Sequence, residues 1–99
     1  MNASRLTDAE VDARLASLPG WRREDNALKR RFDFPDYHHT LAFVNAVAWI
    51  AHADDHHPDL SVHYGHCEVR WSTHSAGGIT ARDILSAAKV DALIAGGTR

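Results

Sequence analysis

Eight of the 99 residues are histidine, about three to four times ordinary usage, and most of them lie between positions 54 and 83. Imidazole titrates near pH 6.5, so it gives and takes protons close to neutrality. Spacing divides the eight into two kinds. His56 and His57 directly precede Pro58, and His74 arrives on a different segment. Three imidazoles from two places can therefore converge on one cleft and act there as general acid and base. His38 and His39 fall in the first turn of a helix, and His63 and His66 on the polar side and tip of a hairpin; surface exposure accounts for all four. Zinc is the competing chemistry, since His52 and His56 are four apart on a helix, His74 could be a third ligand, and Asp54 or Asp55 is close. Neither an HExxH pattern nor a cysteine pair supports it.

The element that must position these groups is a hairpin. Leu60, Val62 and Tyr64 alternate with Ser61 and His63, and after Gly65-His66 the residues Cys67, Val69 and Trp71 alternate with Glu68 and Arg70. Two period-two runs around a Gly-X dipeptide predict a two-residue type II′ turn. That register sets Tyr64 opposite Cys67, Val62 opposite Val69 and Leu60 opposite Trp71, with one face apolar and the other charged. Continued outward, it brings His57 opposite His74. Pro58 cannot donate a ladder bond, and a bulge there would shift the pairing.

The rest of the chain reads as supporting elements. Thr7 and Glu10 form a capping box, Val11, Leu15 and Leu18 make a stripe, and Pro19-Gly20 stops the helix. Trp21 opens a short strand, Asp25-Asn26 turns the chain, and Leu28, Arg30, Phe32 and Phe34 alternate with Lys29, Arg31 and Asp33. Arg30 stands at an apolar parity, which implies an edge position or contact with an anion. Asp36 caps a long helix from Tyr37 to about Ala53, with Leu41, Val44, Val47, Ala48 and Ala51 at helical spacing and Phe43 and Ile50 widening the stripe. After Gly77-Gly78, Thr80 caps a last helix with Asp83 as its acidic third residue. It carries Leu85, Ala88, Leu93 and Ile94 and is expected to end at Gly96-Gly97. The order α-β-β-α-β-β-α predicts an α+β fold: a two-layer sandwich, with a four-stranded antiparallel sheet and three helices on one face.

At this length the chain is expected to be a single domain, residues 1–99. A net charge of -2 and short basic runs argue against nucleic acid as a partner. One cysteine, Cys67, permits no intrachain disulfide, and no stretch has the length of a signal peptide or membrane span. The expected location is cytoplasmic.

With these residues in view, the chain resembles the pterin-4a-carbinolamine dehydratases. The likeness is carried by Asp55-His56-His57-Pro58, Tyr64, Ser72-Thr73-His74, Gly78-Ile79-Thr80 and Asp83, with Gly20-Trp21 and Phe32-x-Phe34 also matching. It implies dehydration of 4a-hydroxytetrahydropterin, the carbinolamine left by an aromatic amino acid hydroxylase, to quinonoid dihydropterin and water, with no metal or cofactor required. By the same resemblance His56 and His74 are the acid/base pair and His57 binds or orients the pterin. Asp55, Pro58 and Thr73 are supporting groups, and Trp21 is a candidate wall of the pterin pocket. His52 departs from the pattern, since many relatives carry Glu there. Animal relatives also serve as dimerisation cofactors of a transcription factor, which makes a regulatory binding protein the alternative to an enzyme. Family members are dimers or dimers of dimers. The two open sheet edges and the apolar helix faces of this chain agree with a homodimer or homotetramer.

Overall fold

A computed structural model describes residues 4–95 of the chain. The elements run α1 (Asp8–Leu15), β1 (Arg22–Glu24), β2 (Ala27–Asp33), α2 (Tyr37–Asp54), β3 (Asp59–Val62), β4 (His66–Trp71), a 3-10 turn (His74–Ala76) and α3 (Ala81–Ala95). The strands form one antiparallel sheet in the order β1-β2-β4-β3. The fold is the expected α+β arrangement. The expected end of the last helix, at Gly96-Gly97, lies outside the described residues.

Period-two alternation sorts the sheet into two faces. Leu28 and Phe32 of β2 and Cys67, Val69 and Trp71 of β4 are buried toward the helices. Lys29, Arg31, Glu68 and Arg70 point the other way, where Arg22 pairs with Glu68 at 2.9 Å and Arg70 with Asp59 at 3.3 Å. Against the apolar face pack Val11 and Leu18, then Phe43, Val47 and Ala51 of α2, and Ala87 and Val90 of α3. Each Val, Leu or Phe among them, fully buried, contributes about 1.5–3 kcal/mol. Arg30 meets an anion, as its parity implied: its guanidinium is 2.8 Å from Asp91 of α3 and lies over the Phe32 ring.

Local signals set the element ends. Thr7 and Glu10 bond reciprocally, at 2.8 and 3.1 Å, and Asp36 accepts from the His39 amide at 2.8 Å. Asp25 and Asn26 both have positive φ, 53° and 60°, the pairing of a type I′ turn, and close the β1–β2 hairpin on Glu24 and Ala27.

Three expectations shift. The first helix ends at Leu15 rather than running to Pro19; Leu18 is buried from the turns that follow. The β3–β4 pairing slips by two residues, with Leu60 opposite Val69 and Val62 opposite Cys67. The loop is Tyr64-Gly65, flanked by His63, whose amide donates to the His66 carbonyl at 2.8 Å, and Gly65 does not take the positive φ a type II′ turn requires. Contacts to the tip explain this choice, since the Phe34 amide donates to the Gly65 carbonyl and Thr40 Oγ1 lies 2.9 Å from that of Tyr64. A slip of two preserves parity, so every side chain keeps its face. Finally, the buried stripes of α2 and α3 match the expected ones only in part, Phe43, Val47 and Ala51 being buried as expected. They run through Thr40, Phe43, Val47 and Ala51, and through Asp83, Ser86, Ala87 and Val90, leaving Leu41, Ala48, Leu85 and Ala88 exposed.

Candidate active site

The first turn of α3 organises the site. Thr80 ends the preceding loop with its amide aimed back at Asp83, and this carboxylate is fully buried. A buried charge persists only where its lone pairs are satisfied. Here Asp83 Oδ1 lies 2.6 Å from His56 Nε2, while Oδ2 accepts from Thr73 Oγ1 at 2.7 Å and from the Thr80 amide at 2.9 Å. The hydroxyls order themselves by elimination. Thr73 gives its one proton to Asp83, so in the 2.9 Å contact between the two threonines Thr80 is the donor, and Thr80 Oγ1 in turn accepts from the Arg82 amide at 3.2 Å. Such chains polarise each link toward the carboxylate.

His56 reaches Asp83 because of how α2 ends. Asp55 takes the left-handed conformation, φ 49° and ψ 46°, and its amide bonds back to Ala51 and His52. The His56 amide closes on the Ala51 carbonyl at 3.1 Å, the pair of bonds of a Schellman ending. Glycine usually occupies that position; an aspartate there costs about 1–2 kcal/mol. The turn swings His56 inward, where 7% of it stays exposed and its ring stacks on Trp71 at 5.3 Å between centroids. A carboxylate has only acceptor sites. The contact with Asp83 therefore places a proton on Nε2 and leaves Nδ1 as the nitrogen free to exchange one.

His57 and His74 are both exposed. Continuing the β3–β4 register outward from Asp59 opposite Arg70 sets His56 beside Thr73, in agreement with their shared hold on Asp83, and His57 beside Ser72. The expected pairing of His57 with His74 is thus displaced by the same two residues. His74 begins the 3-10 turn just beyond, so both exposed imidazoles lie at the same end of the sheet as the buried one. Pro58 follows His57 and holds it to extended backbone. A cleft of about 210 Å³ opens beside His56, lined also by Asp54, Arg82, Leu85 and Ser86. A larger hollow, about 400 Å³, lies elsewhere, among Phe34, Pro35, Phe43 and Ile94.

One expected site residue, Trp21, lies away from these histidines. Trp21 is buried, packs edge-on against Phe32 and donates its indole N–H to Asp91 at 2.8 Å. Asp91 is eight residues along α3 from Asp83, about 12 Å at 1.5 Å per residue, so Trp21 braces the far end of that helix. His52 is exposed beside Trp49. Among the described residues no three His, Cys, Asp or Glu are grouped so as to hold a metal ion. Sequence reasoning read Asp83 as a helix-capping acid and as part of the family likeness without giving it a hold on His56, and gave Arg82 and Trp71 no part in the site. The Thr80-x-x-Asp83 spacing carried the signal, but nothing local marks a cap that also serves a distant histidine.

A buried carboxylate holding one imidazole, with two more exposed at the same end of the sheet, gathers three imidazoles at one edge of an α+β sandwich. Comparisons with known proteins give the family. The family model for pterin 4 alpha carbinolamine dehydratase matches residues 4–93, and the chain belongs to that family. A Chromobacterium violaceum protein named provisionally as a pterin-4-alpha-carbinolamine dehydratase is 50% identical over 90 residues, covering 91% of this chain and 83% of its own. A Xanthomonas oryzae protein of the same name is 53% identical over 87 residues, covering 86% and 74%. Among solved structures, a transcriptional coactivator/pterin dehydratase from Brucella melitensis superposes with a TM-score of 0.86 at 36% identity, covering 91% of this chain and 98% of that one. A pterin dehydratase-like protein identified as a RuBisCO assembly factor of the alpha-carboxysome gives 0.61 at 26%, covering 74% and 84%. No helix among the described residues is long and apolar enough to cross a membrane.

Proposed function

We propose that the chain dehydrates 4a-hydroxytetrahydropterin to the quinonoid dihydropterin, with His56, His57 and His74 as the working groups. The C4a–O bond breaks as an imidazolium protonates the departing hydroxyl, which leaves as water. The N5 proton passes to a neutral imidazole. One proton is given and one taken, so the enzyme's net charge is unchanged, and exchange with solvent returns each imidazole to its starting protonation. His56 and His74 are the acid/base pair, and His57 orients the ring. Thr73 acts through Asp83, and Asp55 and Pro58 act through the backbone that carries His56 and His57.

The observation that carries the reading is the Asp83–His56 contact at the sheet end where His57 and His74 are exposed. A positioned imidazole contributes about 10²–10⁴-fold to such a proton transfer. The substrate would come from a hydroxylase that consumes a tetrahydropterin, and the reaction would take place in the cytoplasm. The test is to generate the carbinolamine in solution and follow quinonoid product with and without the protein. Equal rates would refute the reading.

A second reading has its own support. Trp49, Leu85 and Leu41 are 71%, 56% and 36% exposed on the helices, large apolar groups of the kind that mark protein contacts, and two of the structural relatives are described as a coactivator and an assembly factor. On this reading the helical side binds a further copy or another protein.

A further inference from the structure

The three histidines are not held alike. His56 has Asp83 and Trp71 to fix its ring. His57, among the described residues, has no side-chain partner, so only its backbone sets where its imidazole points. Pro58 constrains that backbone from one side. On the other side lies the left-handed Asp55 turn, a conformation an aspartate adopts only when something sustains it.

Arg82 grips that turn. Its Nη2 lies 2.9 Å from the Asp55 carbonyl and 3.3 Å from the Asp54 carbonyl. These are carbonyls that the end of a helix leaves without intrahelical partners, at the negative end of its dipole. About two turns of α3 further on, Lys89 meets the Asp54 carboxylate at 2.7 Å, relieving a negative charge at that same end. Arg82 precedes Asp83, so consecutive residues of α3 hold the backbone and the first imidazole of the same loop.

We propose that Arg82 is a positioning residue for His57, acting through the Asp55 carbonyl, and this rests on the dehydratase reading above. A purely structural cap would matter for stability alone. A positioning residue must matter to turnover in protein that is fully folded.

The experiment compares Arg82→Ala and Arg82→Lys with the parent chain at a temperature where circular dichroism shows all three folded. Carbinolamine turnover is measured alongside imidazole and backbone NMR of His56 and His57. The expected result is a kcat about tenfold lower or more in Arg82→Ala, partial recovery in Arg82→Lys, which restores the charge without the planar fork, a retained His56–Asp83 proton signal, and a newly mobile His57. Arg82→Ala turnover within twofold of the parent, or an unmoved His57 spectrum, overturns the proposal. Loss of the His56–Asp83 signal as well also overturns it, because Arg82 then holds the whole loop and not His57. If the parent chain is inert, the dehydratase reading fails separately, and the His57 spectra alone decide whether Arg82 holds the turn.

Discussion

Replacing Asp83 by asparagine keeps the shape of the most deeply buried polar group of the site and changes only its hydrogen-bond sense. The carboxylate accepts from three donors: His56 Nε2, Thr73 Oγ1 and the Thr80 amide. An asparagine must put an NH₂ in place of one oxygen. Placed toward Thr80, it confronts a backbone N–H that cannot turn away, leaving a buried donor without an acceptor at about 1–3 kcal/mol. Placed toward His56, it obliges the ring to move its proton from Nε2 to Nδ1. The second arrangement is the cheaper one. Its cost is three charge-assisted bonds weakened to neutral ones, about 1 kcal/mol each, offset by the easier desolvation of a neutral amide. The net expectation is about 1–3 kcal/mol, a melting point lower by roughly 5–15 °C for a domain of this size. Asp83→Ala should cost more, about 3–5 kcal/mol, because it strands a buried partner. Turnover should fall by about 10²-fold or more in Asp83→Asn, since the tautomer that presents Nδ1 as an acceptor is lost. Urea unfolding, carbinolamine kinetics and ¹⁵N shifts of the His56 ring measure the three effects. An unchanged midpoint with unchanged turnover, or an Nε2 that keeps its proton in the variant, would refute this account of the dyad.

Other expectations follow from the same structure. Cys67 is fully buried, and burial pushes its thiol up to about 11, so it should resist alkylation in folded protein and react once urea unfolds the chain; rapid labelling of native protein would contradict this. Backbone hydrogen bonds, from Thr7 to Glu10 and from His39 to Asp36, hold both carboxyls below their usual range. A depressed folded value contributes stability above the unfolded value near 4, and that stability is lost as pH falls through the folded value. Glu10→Gln with Asp36→Asn should therefore flatten the decline of the urea midpoint between about pH 5 and 3, and an unaltered slope would count against those caps. Light scattering at micromolar concentration should find a homo-oligomer, because β1 and β3 are open edges and Trp49 and Leu85 are exposed; a stable, active single-chain species would show those surfaces to be self-sufficient.

Much of this architecture is legible because its signals are local. The Thr7–Glu10 box, the Asp36 cap and the Asp25-Asn26 turn depend on neighbours a few residues away, and all three form. The helix faces were read only in part, because the buried stripes also pass through polar side chains. Thr40, Asp83 and Ser86 are buried, yet a count of apolar residues assigns the stripe to Leu41, Leu85 and Ala88 instead. The hairpin register escaped for a different reason. It is set by contacts from Phe34 and Thr40 to the tip, which lie outside the hairpin, while parity, the part written in the strands themselves, is correct. The same division holds in the site. The Asp55-His56-His57-Pro58 motif marked the candidate site, but which histidine is held by Asp83 and which is left exposed depends on the α3 helix, whose contacts are 27 residues away in sequence.

The central claim is that His56, His57 and His74 move the protons of a pterin dehydration, and it is tested most directly by carbinolamine turnover in single alanine variants of all the candidate histidines, each checked for folding. The account predicts that His56→Ala and His74→Ala fall by about 10²-fold or more, that His57→Ala is also impaired, and that His38→Ala and His39→Ala stay within about twofold of the parent. Variants at His38 or His39 as damaged as those at His56 and His74, or a parent chain that does not accelerate the reaction at all, would contradict it.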